Sequence, residues 1–190
     1  MEDEVVRRVM MTIYKTGEIT VRNLEKEDEH LLVKWLSDPQ VLEYYEGRDN
    51  PHDLEMVRDH FYGDDDEARC IFEYHEKPIG YIQFYQLDEE GKREYEIQDV
   101  QPNERIYGMD QFIGESEYWN KGIGEKLVKS MIHHLIHHEK ADRIVMDPQT
   151  WNLRAIACYE KCGFKKVKVL KEHEKHEGEI RDCWLIAYSR

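Results

Sequence analysis

Two stretches constrain this chain more than any other: WNKGIGE at residues 119–125 and DPQTWNLRAIACYEKCGF at 147–164. The first is a Gly-rich turn opening directly into an amphipathic helix, so backbone N–H groups and a helix N-terminus face whatever sits beside the turn, an arrangement suited to a phosphate. Ile123, Leu127, Met131 and Leu135, flanked by Val128, Ile132 and Ile136, recur at helical spacing and predict that this helix lies on a sheet. The second stretch ends a strand, turns and starts another helix, closed by Gly163 as its C-terminal cap. Tyr159 follows Asn152 by two helical turns, which puts both on one face. Together the stretches predict one site that holds a pyrophosphate and does acid/base chemistry beside it.

The rest of the chain supplies the sheet. ITVRNL at 19–24 alternates as a strand, and DEHLLVKWLSDP reads as a helix with Asp28 as cap and Pro39 as stop. A second short helix is predicted over 53–62. RCIFEYH and IGYIQFYQL form a hairpin around residues 76–78, while IYGMDQFIG at 106–114, RIVMD, FKKVKVL and CWLIAYS complete the strands. The carboxylate-rich stretch 88–105 reads as a long loop or partly ordered ribbon. Residues 1–17 read as an extension or short added strand, so the domain proper runs from 18 to 190. The predicted fold class is α/β (α+β), a mixed central sheet of about six to seven strands flanked by about four helices.

At 190 residues the chain fits one domain with one core. The balance of 27 Lys and Arg against 41 Asp and Glu, a formal charge of −14, opposes nucleic acid and anionic membranes and favours cations. Most of these carboxylates serve solubility, and only those in a cleft matter to binding. Cys70, Cys158, Cys162 and Cys183 form no C-x-x-C pair and read as reduced, half-buried thiols. The acidic MEDE start is no basic leader, and no apolar run approaches a bilayer span, so a cytoplasmic protein is expected.

Asp110 interrupts an apolar strand, so it either faces a polar cleft or is paired. Asp147, followed by Pro148, ends the next strand at the same cleft or is a turn residue. Asn152 suits a helix N-cap as well as a ligand contact. Tyr159 suits the core as well as a proton donor to a leaving thiolate. Lys121 and Lys126 either make a positive patch at the Gly turn or are surface charges. His133, His134, His137 and His138 include pairs four apart, but most of them project away from the apolar stripe and read as a solvated outer face, so no metal is assigned.

The order of elements, the Gly turn and the N-x-R-A-I-x-x-Y-x-K-x-G-F segment resemble the GCN5-related N-acetyltransferases, whose fold binds acetyl coenzyme A at a splayed pair of central strands. LVKWLSDPQVLEYYEGRD, KPIGYIQFYQ, IYGMDQFIGE, YWNKGIGEKL and HEGEIRDCWL are similar to the aminoglycoside 6′-N-acetyltransferases, among them the acetyltransferase halves of bifunctional aminoglycoside-modifying enzymes. The similarity runs from about Glu18 to Tyr188, with no phosphotransferase half expected after Arg190.

This resemblance implies a coenzyme site along Ile113, Gly114, Lys121, Gly122, Ile123, Gly124, Glu125 and Lys126, completed by Asn152, Ala155 and Tyr159. It implies an acceptor site drawing on Trp35, Glu43, Tyr45, Gln83, Tyr85, Asp110, Asp147 and Asp182, with help from the acidic stretch 88–104. Asp110 would take the proton of the amine and Tyr159 would return one to the thiolate, with no covalent acetyl-enzyme and no nucleophilic role for Cys158. Trp119 stands where the superfamily often has Arg or Gln. The implied substrates are kanamycin and tobramycin class aminoglycosides, acetylated by a monomer or weak homodimer. A protein N-terminus, a polyamine and a hydroxylysine-type siderophore precursor are the alternative acceptors, because the coenzyme half would look the same.

Overall fold

A computed structural model describes residues 12–189. Within them a single eight-stranded sheet runs β1 (Thr12–Thr16), β2 (Ile19–Asn23), β3 (Ala68–Tyr74), β4 (Lys77–Gln86), β5 (Ile106–Ile113), β6 (Arg143–Met146), β8 (Glu179–Ser189), β7 (Lys165–His176) in spatial order. The helices are α1 (Glu29–Trp35), α2 (Pro39–Leu42), α3 (Leu54–Phe61), α4 (Glu89–Glu94), α5 (Ile123–His137) and α6 (Leu153–Lys161). This is the expected mixed α/β class with one strand and two helices more than anticipated. Part of the expected extension is β1, which turns at Gly17 (φ +50°) and pairs antiparallel with β2; residues 1–11 lie outside the described residues. The acidic stretch is not all loop: Asp88 accepts from Glu90 N–H and Gly91 N–H at 3.0 and 2.8 Å and so starts α4.

Strand alternation divides the core. Ile82, Phe84 and Met109 face α5, whose Ile123, Leu127, Val128, Met131 and Leu135 cover them. Tyr81 and Phe112 face the other way, against Leu32 and Trp35 of α1, Val41 of α2 and Val57 and Phe61 of α3. Asp28 does not cap α1 through its side chain as expected. Its carboxylate instead takes two bonds from buried Arg22, at 2.7 and 2.8 Å, while Arg22 Nε donates to Glu73 at 3.0 Å, tying β2, β3 and the start of α1 together.

All neighbouring strands are antiparallel except β5 and β6. Their pairing runs from Ile106 opposite Arg143 to Gly108 opposite Val145, after which β5 continues to Ile113 and β6 stops at Met146. Pro148, which has no N–H to donate, follows just beyond. The sheet therefore opens at its centre, and both Gly-turn and second helix begin at that opening.

Candidate active site

The opening is a cleft of about 560 Å³ walled by β5 from Met109 to Ile113, the segment from Met146 to Gln149, the first turns of α5 and α6, and Tyr44 and Tyr45 after α2. Alternation along β5 gives it two chemically different sides. Asp110, opposite Gln83 of β4, faces the α1 side, whereas Gln111 turns toward α6.

On the first side, Gln83 Nε2 and Tyr85 OH donate to the same oxygen of Asp110 at 3.2 and 3.3 Å. Tyr85 OH lies 3.0 Å from Tyr95 OH, which reaches Asp147 at 3.4 Å, and His173 Nε2 lies 3.0 Å from the other oxygen of Asp147. Desolvation, then the charge of Asp147, push the Asp110 carboxyl up to about 7, against the pull of its two hydrogen bonds. A carboxylate in that range exchanges protons near neutral pH. Glu174 adds a third acid to the wall; burial raises its pKa, and it accepts from Gln149 at 2.8 Å.

On the second side, Gly122 adopts φ +75°, a left-handed conformation that turns the chain into α5, whose first residues line the cleft. Ile113, Gly124, Glu125 and Ala155 line this part. The Asn152 side chain caps α6 by accepting from Ala155 N–H at 3.2 Å, and the residue also lines the cleft. Gln111 Nε2 donates to Tyr159 OH at 2.6 Å, which occupies a lone pair of the phenol and leaves its hydrogen free for the cleft. Burial raises the Tyr159 pKa, so the group stays a neutral donor. Cys158 also lines the cleft, and all the described cysteines are free thiols.

Several expected residues sit elsewhere. Trp35 is fully buried, and a Cβ on Gly114 would come within 2.1 Å of its ring, so this pair is packing between α1 and β5 rather than ligand surface. Lys126 is exposed and salt-bridged to Glu18, and Lys121 stands over the Tyr118 ring at 5.7 Å. Asp182 binds Lys171 at 2.5 Å and Glu172 N–H at 3.0 Å outside the cleft wall, and Glu43 is likewise not part of the wall. The stretch 88–104 spends its acids locally: Glu96 pairs with Lys168, and Asp99 and Glu104 both pair with Arg143. Only its Tyr95 hydroxyl reaches the acid pair.

In their place stand residues not read from the sequence. The Arg154 guanidinium lies 4.1 Å from the Tyr44 ring and 4.4 Å from the Trp119 ring, and Trp119 Nε1 donates to Ile113 C=O at 2.8 Å. Trp119, the departure from the superfamily pattern, therefore packs the turn against β5 and stacks the cation that the lysines were expected to provide. Arg154 of α6 stands in the N-x-R-A-I segment without an assigned role, and nothing in local spacing marks His173 or Glu174 of β7. Of the four histidines three are exposed, matching a face that is mostly solvated, and His134 is the buried one; burial lowers its pKa. Among the described residues no group of three or more His, Cys, Asp or Glu side chains is placed to hold a metal.

A split sheet whose opening carries a helix N-terminus on one side and paired acids on the other can hold an anionic phosphate group next to acid/base chemistry. Residues 25–171 match the acetyltransferase (GNAT) domain, and the chain belongs to that family. It is an acetyltransferase, and enzymes of this family draw their acetyl group from acetyl coenzyme A. The chain is 30% identical over 152 residues to aminoglycoside N(6′)-acetyltransferase type 1 of Klebsiella pneumoniae, covering 78% of this chain and 74% of that one. The solved structure of aminoglycoside acetyltransferase AAC(6′)-Ib in complex with coenzyme A and kanamycin shares the fold at a TM-score of 0.72 and 24% identity, over 90% of this chain and 95% of the other. So does spermidine N-acetyltransferase from Vibrio cholerae in complex with coenzyme A and spermine, at 0.71 and 19%, over 92% and 96%.

Proposed function

We propose that this enzyme transfers the acetyl group of acetyl coenzyme A to the 6′-amine of aminoglycosides of the kanamycin and tobramycin class, in the cytoplasm where that co-substrate is made. The observation that carries the reading is the pairing, in one cleft, of a phosphate-suited helix start with Asp110, Asp147 and Glu174, a set of acids complementary to a polyamine-like sugar. The 30% identity to a 6′-acetyltransferase supports the position on the sugar.

The pyrophosphate lies at the Gly turn, where N–H groups of α5 receive it. Pantetheine follows β5 on the edge that β6 has left, past Asn152 and Ala155. Acidic side chains orient the other ammonium groups of the acceptor, which fixes the 6′-amine near Asp110. Asp110, as carboxylate, takes one proton from the 6′-ammonium, directly or through a water. The free amine attacks the thioester carbon, and backbone N–H groups of β5 near Ile113 stabilise the oxyanion. As the adduct collapses the nitrogen sheds its remaining excess proton, the C–S bond breaks, and the coenzyme thiolate takes the proton of Tyr159. The proton shed by the nitrogen restores Tyr159 through solvent, and Asp110 releases its own proton to solvent, the one net proton of the reaction. No acyl-enzyme forms, so Cys158 has no nucleophilic part.

The test is a kcat/KM panel with kanamycin, tobramycin, a 6′-hydroxy aminoglycoside, spermidine and a peptide N-terminus, with NMR mapping of the acetylated position. The reading requires transfer to the first two at the 6′-nitrogen and its loss when hydroxyl replaces that amine. The same acids suit a linear polyamine, and the shared fold with a spermidine acetyltransferase keeps that second reading open to the panel. Spermidine outperforming both aminoglycosides would replace the first reading by the second.

A further inference from the structure

The hydrogen-bond chain between the two acids is one proton short. It contains three contacts, Asp110 to Tyr85 at 3.3 Å, Tyr85 to Tyr95 at 3.0 Å and Tyr95 to Asp147 at 3.4 Å. Each phenol owns one hydrogen, and an ionised carboxylate owns none. When Asp110 is protonated its own hydrogen fills the gap, and the chain points from Asp110 through Tyr85 and Tyr95 to Asp147. For the chain to stay continuous from Tyr95 to an ionised Asp110, Tyr85 turns to Asp110 and Tyr95 turns to Tyr85, and in that arrangement Asp147 loses a donor. The group that still serves Asp147 is His173, at 3.0 Å on its other oxygen.

We propose that His173 is a positioning residue: by keeping a proton on Asp147's side of the chain, it lets Tyr95 and Tyr85 turn toward Asp110 and so sets the pH at which Asp110 becomes a base. The inference rests on the reading of Asp110 as the base. The surroundings fit it. Asp110 feels Asp147 and Glu67 as like charges, with Gln83 and Tyr85 of β4 donating, Tyr45 beside it and Tyr159 across the cleft. His173 feels Asp147, Glu94 and Glu96 at the α4 end and Glu174 on its own strand, and its ring lies 6.0 Å from that of Tyr95. Its bond to Asp147 raises its pKa, which favours the imidazolium this role needs.

The experiment is a pH profile of kcat/KM for acetyl transfer to kanamycin, from about pH 5.5 to 9.5, on the parent, Asp110→Asn, His173→Gln, Tyr95→Phe and the Tyr95→Phe/His173→Gln double variant. The introduced glutamine amide would still donate to Asp147, without a charge. In His173→Gln the acid limb should move up by about one pH unit, a roughly tenfold loss at pH 6, with the high-pH plateau within about threefold of the parent. In the Tyr95→Phe background the same substitution should move the limb by less than half as much. A ¹³C NMR titration of the Asp110 carboxyl in the free enzyme should show the same displacements whatever acceptor is used. An unmoved limb, or an equal loss at every pH, overturns the role of His173. A full displacement persisting without the Tyr95 hydroxyl overturns the route through the tyrosines. If Asp110→Asn keeps the parental limb, the base assignment fails on its own account, independently of what His173 does.

Discussion

At the scale of single residues, the proposed base Asp110 carries the predictions for both activity and pH response. A base must be ionised, so the rate of the parent enzyme is expected to rise through pH 7 and level off above it. Asp110→Asn should lower kcat by about 10²- to 10⁴-fold while coenzyme affinity, measured by calorimetry, changes little. The folded carboxyl titrates near 7 and its reference value is 3.8, so between those two values the folded state holds a proton that the unfolded state has lost. Stability contributed by this group is thus full at low pH and falls as pH climbs toward 7. Asp110→Asn should therefore be more stable than the parent at pH 8, by on the order of 1–4 kcal/mol, and equal to it near pH 4, as denaturant titrations at both pH values will read. Tyr159→Phe keeps the ring and its packing but loses the hydroxyl that Gln111 holds in place. Its kcat should drop by about ten- to a hundredfold with the melting temperature unchanged; a parental kcat would return Tyr159 to the core.

At the scale of elements, the start of α5 separates binding from stability. Gly122 is held at φ +75°, so any substitution there strains the turn and confuses the two effects. Gly124 is different. A Cβ there would meet only Cys158 Sγ at 3.8 Å and Ile113 Cδ1 at 3.9 Å, both ordinary contacts. Gly124→Asp places a negative charge in the first turn of a helix, which its dipole favours, yet aims that charge at the pyrophosphate position. Thermal stability should hold or rise slightly while the Kd for coenzyme A weakens at least about tenfold, equivalent to roughly 1.4 kcal/mol. The β2, β3 and α1 junction depends instead on buried charge. Arg22→Met leaves Asp28 and Glu73 without their cation in a buried site, and unfolding free energy should fall by about 3–5 kcal/mol.

Across the whole molecule, a formal charge of −14 surrounds a cleft that already concentrates acids. The proposed polycationic acceptor would be drawn in from a distance, with the attraction screened over about 10 Å at 0.1 M salt. KM for kanamycin should rise several-fold between low and high ionic strength, whereas KM for acetyl coenzyme A, itself anionic, should not rise with it. The sheet provides the frame. Continuous pairing from β1 to β5 and from β6 to β7 makes two stiff halves, joined at three opposed residue pairs of β5 and β6, and the proposed reaction lies at the gap between them.

Local pattern determined what depends on neighbours in the chain. The Gly turn and apolar stripe of α5 and the strand that carries Asp110 are set by backbone periodicity and stand in the structure as read, whereas Gln111 is not singled out in the sequence. What only the tertiary structure decided depends on which distant segments meet. Lys121 and Lys126 sit at the right place in sequence, but Lys126 is drawn off by Glu18 and the cleft receives Arg154, stacked between Tyr44 and Trp119. Trp35 reads as a site aromatic but fills the space that Gly114 leaves open. The acids of 88–104 are consumed by Arg143 and Lys168, while Glu174 and His173 arrive from a strand paired at the far edge. Charge and aromaticity are properties of composition, but whether a charge faces a ligand or a counter-ion is fixed by contacts between segments tens of residues apart, which no local spacing records.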